Sequence, residues 1–497
     1  MGDNSRQVWL NVEDTAAWVR ADTTSDPQAA TVTLKRRDNQ QEVSLPQAEF
    51  ARLAQCYTSE VDEVADDLTR MGEVSDATML DTLRRRYARD DIYCAIGPVI
   101  VSVNPYKKVP GCSSEAITTL CQQGSEAPPH IAKVAHIAYN GLTNFDAEQQ
   151  AQSVLISGES GAGKTEACKL CLLSLAELSK SSGAATEAAL ESAVLLESFG
   201  NAKTVYNDNS SRFGKWCAVY FNHRFQISAC QSNVYLLEKT RIIHAPAGER
   251  SYHIFYQILT GATGDAKKEV QDLGGLLNEM GGSKGWSGFT YTRDGLGFVD
   301  GMDDGHEYTA SMGKLDVLGL GGEAQVRMLR LVTAVLILGN IEFEPLSGSA
   351  DDKFKVKNGD VLKVVCSLLE VEAPALEAKM TMRTISTGKG SSTYTVPLKK
   401  NECYDTRDAL AKSVYAELFE WIVRASRSRS SDLWVVPSLL PTLPAHREVA
   451  RSRLRFAGGR AQRVAEDGAR QVVVGRREPF RGAARHLRLR ELPPQLV

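Results

Sequence analysis

The sequence lacks the marks of a membrane, secreted or zinc-bound protein. Its longest apolar runs, such as Leu331 to Leu338, fall well short of the roughly 20 residues that cross a bilayer. The N-terminus, Met-Gly-Asp-Asn-Ser-Arg, has no apolar signal core. Arg6 stands where an N-myristoylation pattern needs Ser or Thr. The ten cysteines are scattered and follow neither a disulfide framework nor a zinc spacing. They read as reduced thiols of a cytosolic protein. A net charge of −3 supplies no global field for nucleic acid. No tandem repeat is visible.

What is present is length and two polar segments. At 497 residues the chain can bury a large core and exceeds the usual size of one domain. Gly158-Glu159-Ser160-Gly161-Ala162-Gly163-Lys164-Thr165 fits G-x-x-x-x-G-K-[ST] at every fixed position. Glycines let such a loop curl its N–H groups onto a β-phosphate. Lys164 reaches the β- and γ-phosphates, and the Thr165 hydroxyl is placed to ligate Mg²⁺. The context agrees: Ser153 to Ser157 reads as a buried strand and Thr165 to Ser179 as a helix. The helix N-terminus adds positive potential towards the phosphates.

About forty residues on, Asn207, Asn209, Ser210, Ser211 and Arg212 form a dense polar cluster before the strand-like run Trp216 to Phe221. Alone, this is an ordinary Asn/Ser turn. Beside a phosphate loop it suits a segment that closes over a γ-phosphate and its Mg²⁺.

Together these segments resemble the motor head of a myosin heavy chain. Gln152 to Glu166 is similar to that family's phosphate loop (P-loop) with its flanks. Leu196 to Thr204, followed by Asn207 to Lys215, is similar to its switch I. Asp91 to Lys107, Tyr235 to Arg241, Tyr252 to Gln257, Val335 to Ile341 and Asp408 to Lys412 continue the likeness in order, over residues 8 to 424. The resemblance implies an α/β fold with a P-loop NTPase core, a helical upper actin-binding region and a small β-barrel-like N-terminal domain. It implies ATP and Mg²⁺ as cofactors and filamentous actin as partner. Light chains would belong to a longer form only. A cytoplasmic, cytoskeletal setting follows, with no specific nucleic acid. By the same resemblance Asn104 and Pro105 lie near the adenine. Gly158 to Thr165 hold the phosphates, and Thr165 and Ser211 face Mg²⁺. Asn207, Asn209 and Ser210 contact γ-phosphate and water, and Arg212 pairs with a switch II glutamate. Lys164, Asn207, Ser210, Ser211 and Arg212 would be the catalytic set. Eight residues after Asn104, where the family often has tyrosine, this chain has Cys112.

The expected organisation is a β subdomain over residues 1–48, with an irregular arm as its alternative. A partial motor domain follows over 49–424, then a non-homologous tail over 425–497. The loop Arg383 to Tyr394, basic and rich in hydroxyls, resembles the family's actin-contacting loop. Ser392, sixteen positions before Asp408, falls where the family carries an acidic or phosphorylatable residue. That loop points to a single-headed, class I-like type. After Arg424 the likeness stops, and no Asp-x-x-Gly-Phe-Glu switch II segment occurs. Arg424 to Val497 contains 16 arginines and no lysine, against plentiful lysine upstream. That break reads as another reading frame or unspliced sequence. A disordered extension is a second reading. A basic tail for anionic lipid or nucleic acid is a third, with Arg451–Arg455 and Arg485–Arg490 as its patches. Two expectations follow. Arg212 lacks a glutamate partner, at a cost on the order of 10³–10⁵ in rate. The strand at Val154 to Ser157 has unpaired edges. The functions in contention are an actin-activated ATPase, a module binding ATP or filament without turnover, and an unrelated P-loop enzyme such as a kinase.

Overall fold

The computed structural model describes residues 7–12, 17–53, 64–72, 74–144, 151–181, 184–346, 353–386, 393–425 and 470–476. Alternating apolar and polar residues open the chain as an antiparallel meander. Its strands are β1 (Gln7–Val12), β2 (Ala17–Thr23), β3 (Thr31–Arg36) and β4 (Glu42–Pro46), paired in that order. Val8, Leu10, Val19, Ala21, Val32 and Leu34 bury one face together with Phe50. Among the described residues nothing pairs β4 with β1, so the expected barrel is an open sheet. Four strands this short are too few to close around a filled interior.

The helix Asp76–Tyr87 begins at Ser75, whose hydroxyl accepts from Thr78 N–H while the Thr78 hydroxyl accepts in return. It leads into the hairpin β5 (Tyr93–Ile96) and β6 (Val99–Ser102). Helices Ser114–Gln123 and Ile131–Thr143 follow. The nucleotide-motif region then runs β7 (Ala151–Ile156), helix Lys164–Leu178, helix Ala184–Gly200, β8 (Asn201–Ala202), β9 (Ser210–Ser211), β10 (Gly214–Phe221) and β11 (Ile227–Tyr235).

Beyond β11 the chain is mainly helical, as expected. Helices His253–Gly261, Lys268–Gly281, Asp304–Val317, Glu323–Leu338 and Gly359–Leu369 share one large apolar core with the long helix Lys400–Ala425. Two hairpins interrupt them, β12 (Phe343–Pro345) with β13 (Phe354–Val356), and β14 (Met382–Ser386) with β15 (Thr393–Pro397). The ends of the basic, hydroxyl-rich stretch Arg383 to Tyr394 lie in β14 and β15, and Ser392 lies outside the described residues.

The last strand, β16 (Arg470–Arg476), comes from the arginine-rich tail. It completes a sheet of order β11-β10-β16-β7, parallel to β10 and antiparallel to β7. The expectation of unpaired edges around Val154 is therefore corrected on one side, while the other side of β7 is the edge of the sheet among the described residues. The expectation of a buried strand is corrected too. Val154 is buried, but Leu155 is 68% exposed, because successive residues of a strand point to opposite faces and the core covers only the Val154 side. No disulfide joins the described cysteines. Cys168 and Cys171 do stand at C-x-x-C spacing, which the reading of scattered thiols passes over. Both are buried on one helix, and burial pushes the Cys171 thiol up, leaving an inert core thiol.

Candidate functional site

Residues 157–163 carry the chain from β7 to the helix Lys164–Leu178. Gly161 and Gly163 have φ of 82° and 88°, a region that side-chain-bearing residues rarely adopt. These two glycines fold the loop back over the helix N-terminus. No side chain caps that helix, and the positive end of a helix favours an anion. The Lys164 ammonium donates to the carbonyl oxygens of Gly158 and Glu159. Its charge thus sits inside the curl, beside the loop's own backbone. Glu166 follows on the exposed side of the helix.

Two other segments converge on this loop. From the strand-and-turn region, Asn104 Nδ2 donates to Gly161 O at 2.5 Å, and Asn104 Oδ1 accepts from Tyr106 N–H at 3.1 Å. A side-chain carbon added at Gly161 would lie 3.4 Å from both the Tyr106 hydroxyl and Asn207 Cβ. The loop is therefore pinched between Tyr106 on one side and Asn207 on the other. Pro105 is half-buried beside Asn104. Cys112 Sγ lies 3.7 Å from the hydroxyl of buried Tyr93.

From the switch-like segment, Ser210 Oγ lies 2.5 Å from Ser160 Oγ. This joins residues 50 apart in sequence. β9 holds Ser210 and Ser211 against β8, with Asn201 opposite Ser211. Asn209 N–H donates to Asn207 Oδ1 at 3.2 Å, an Asx turn. Asn209 Oδ1 accepts from Asn201 Nδ2 at 2.8 Å, and its Nδ2 donates to Glu197 Oε2 at 3.2 Å. Glu197 also faces Lys169 at 3.4 Å. Burial would lower the Lys169 amine, but Glu197 and Glu166 together hold it above the ordinary range. Glu197 thus ties the phosphate-loop helix to the switch-like turn.

Arg212 is not without a glutamate, contrary to expectation. Its Nε donates to Glu238 Oε2 at 2.6 Å, and its Nη1 to Ser210 Oγ at 3.2 Å. The backbone fixes this pairing, since Glu238 N–H donates to Arg212 O at 2.9 Å. Arg241 shares the carboxylate at 2.7 Å and reaches Glu249 at 2.7 Å. Burial would raise the Glu238 carboxyl, yet Arg241 and Arg212 outweigh it and hold it below its ordinary range.

The expected residues are thus largely brought together: Asn104, Gly158 to Thr165, Asn207, Asn209, Ser210 and Arg212 lie along one seam. Thr165 in the first helical turn and Ser211 in β9 are both half-buried at that seam's helix and strand sides. Sequence reading missed Tyr106, Lys169, Glu197 and Glu238. Glu238 and Lys169 left a signal, since each stands three residues from an opposite charge, Arg241 and Glu166, the spacing of a local ion pair.

This donor set fits a nucleoside triphosphate with Mg²⁺. It combines a curled loop, an uncapped helix end, a lysine inside the curl and the hydroxyls of Ser160, Thr165, Ser210 and Ser211. Residues 65–429 match the family described as Myosin head (motor domain). The chain is 37% identical to Myosin IC heavy chain of Dictyostelium discoideum over 375 residues, which are 73% of this chain and 30% of that protein. It is 38% identical over 372 residues to Myosin ID heavy chain of the same organism, covering 72% and 32%. It is 35% identical over 362 residues to Unconventional myosin-Ib of Rattus norvegicus, covering 72% and 30%. The chain therefore spans about a third of the length of these relatives.

Proposed function

The chain belongs to the myosin head (motor domain) family, and from that premise we propose that it binds MgATP and filamentous actin as part of an actin-based motor. The single observation that carries the reading is the contact of the Ser160 and Ser210 hydroxyls, which closes the switch-like segment onto the phosphate loop. In this reading Lys164 and the loop N–H groups hold the β- and γ-phosphates, and Asn104 and Pro105 border the base. Thr165 and Ser211 hold Mg²⁺, which when bound neutralises charge on the phosphate oxygens. Asn207, Asn209 and Ser210 face the γ-phosphate.

The protein's own residues then do three things. Lys164 exchanges loop carbonyls for phosphate oxygens, a stronger pairing for an ammonium. Ser210 exchanges Ser160 for a phosphate-side partner. Arg212 stays tethered to Glu238 and carries the rearrangement from β9 towards β11. A class I-like, single-headed motor of the cytoplasmic actin cytoskeleton is the setting this favours. Light chains would belong to a longer form. Residues 1–48 would act as a separate β subdomain and 49–424 as the head proper.

One observation favours a second reading, binding without turnover. Arg212 is already satisfied by Glu238, and no Asp-x-x-Gly-Phe-Glu segment is present to orient water. Sedimentation with filamentous actin, with and without MgATP, together with turnover measurements, separates the two. The motor reading expects ATP-sensitive co-sedimentation and actin-stimulated turnover. ATP-sensitive binding with no stimulation supports the second reading. Failure to bind actin in either state sinks the motor reading and leaves only ATP binding without turnover.

A further inference from the structure

Between β7 and β10 lies a gap one strand wide. The two strands do not pair with each other, and both are hydrogen-bonded to β16 instead. Lys215 to Phe221 stand opposite Arg470 to Arg476 in parallel register. Ile156 to Ala151 stand opposite Arg470 to Gly475 in antiparallel register. Central backbone amides without partners are costly, so this slot demands an extended segment.

We propose that residues 470–476 are a strand-complementing segment of this same chain, seated in cis between the phosphate-loop strand and the strand after the switch-like turn. The tail's own composition selects them. Gln471-Val472-Val473-Val474 carries three consecutive β-branched residues and no proline. The tail's other apolar run, Leu433 to Val436, ends at Pro437, and Pro441 and Pro444 follow. Arginines flank the segment on both sides. Reach is ample, since residues 426–469 could extend to roughly 145 Å.

The polarity has a consequence. Arg470 pairs with Ile156, two residues before Gly158. The strand thus enters the sheet at its phosphate-loop end. A relative movement of the phosphate loop and the switch-like segment would shear both of its ladders. The tail strand therefore acts as a strap across the two nucleotide-contacting segments, independent of whether nucleotide binds.

Paired cysteines test the seat and its register in the full chain. Antiparallel partners stand about 4.5–5.5 Å apart at Cα, within disulfide reach. Q152C/V474C places cysteines at partner positions. Q152C/V473C is offset by one residue and turns them to opposite faces. Under mild oxidation of dilute protein, the linked peptide should form within one chain at least tenfold more in Q152C/V474C than in Q152C/V473C. Equal yields, or no link, would overturn the proposal. Links between chains would assign the slot to a second copy and overturn the in-cis seat. V472P/V474P supplies an independent reading by amide hydrogen exchange. Exchange at residues 152–156 should rise at least tenfold while the helix Glu323–Leu338 keeps its protection, which distinguishes loss of the strand from loss of the fold. Unchanged exchange at 152–156 would contradict the proposal.

Discussion

Arg212 and Glu238 form an ion pair at 2.6 Å, and Glu238 is shared with Arg241 at 2.7 Å. The pair links the end of the switch-like segment to the chain that follows β11. Both side chains are partly exposed, so screening limits its worth. The shared carboxylate and the backbone bond between the same residues raise it above an ordinary surface pair.

A double-mutant cycle on R212A and E238A should show positive coupling of about 1 kcal/mol in unfolding free energy. Additive effects would show that the pairing carries no stability. Because the Glu238 carboxyl is held below its ordinary range, its contribution is present above the unfolded value and disappears as pH falls through the folded one. Coupling measured at neutral pH should therefore vanish in strongly acidic solution.

Glu197 should act as a positioning residue through Asn209. In Glu197→Gln the charge that engages Lys169 is lost and the bond from Asn209 weakens. Nucleotide affinity should fall by about tenfold, equivalent to about 1.4 kcal/mol. Thermal stability should change little. A large drop in the unfolding temperature with unchanged affinity would assign Glu197 to folding alone.

His130 predicts an acid limb in stability. Burial lowers its folded pKa to about 4 from 6.5. Its Nδ1 accepts from Ala132 N–H at 3.0 Å at the start of a helix, which requires the neutral ring. The unfolded chain takes up a proton below about pH 6.5 and the folded chain does not until about pH 4. Stability is therefore full above pH 6.5, declines as pH falls towards 4, and flattens below that from this group. The loss is on the order of 3 kcal/mol. His130→Asn keeps a cap acceptor and removes the titration, so its unfolding temperature should fall less between pH 6.5 and 4. An identical slope in both proteins would refute the assignment.

Much of the nucleotide-motif region was legible from local pattern. A glycine-rich loop between a strand and a helix can be recognised because its chemistry sits in eight consecutive residues. The same holds for the polar cluster before β10 and for the helical block after β11. What stayed hidden depends on distant juxtaposition. Glu238 lies 26 residues from Arg212, and no periodicity announces that β11 returns it to the switch-like turn. The exposure of Leu155 could not be read either, because an apolar run looks alike in a strand covered on both faces and in one covered on a single face. The four N-terminal strands show alternation, but alternation does not distinguish an open meander from a barrel. The pairing of β16 was invisible because its register depends on a slot made by two strands far upstream.

Titration of the full chain with MgATP at neutral pH, in parallel with Lys164→Ala, tests the central claim most directly. Lys164 is the ammonium held inside the curl by the carbonyls of Gly158 and Glu159. The account predicts saturable binding by the chain, weakened at least a hundredfold in Lys164→Ala, about 2.7 kcal/mol or more, while both proteins keep the same unfolding temperature without nucleotide. Equal affinity in the two proteins, or no binding by the unmodified chain, would contradict it.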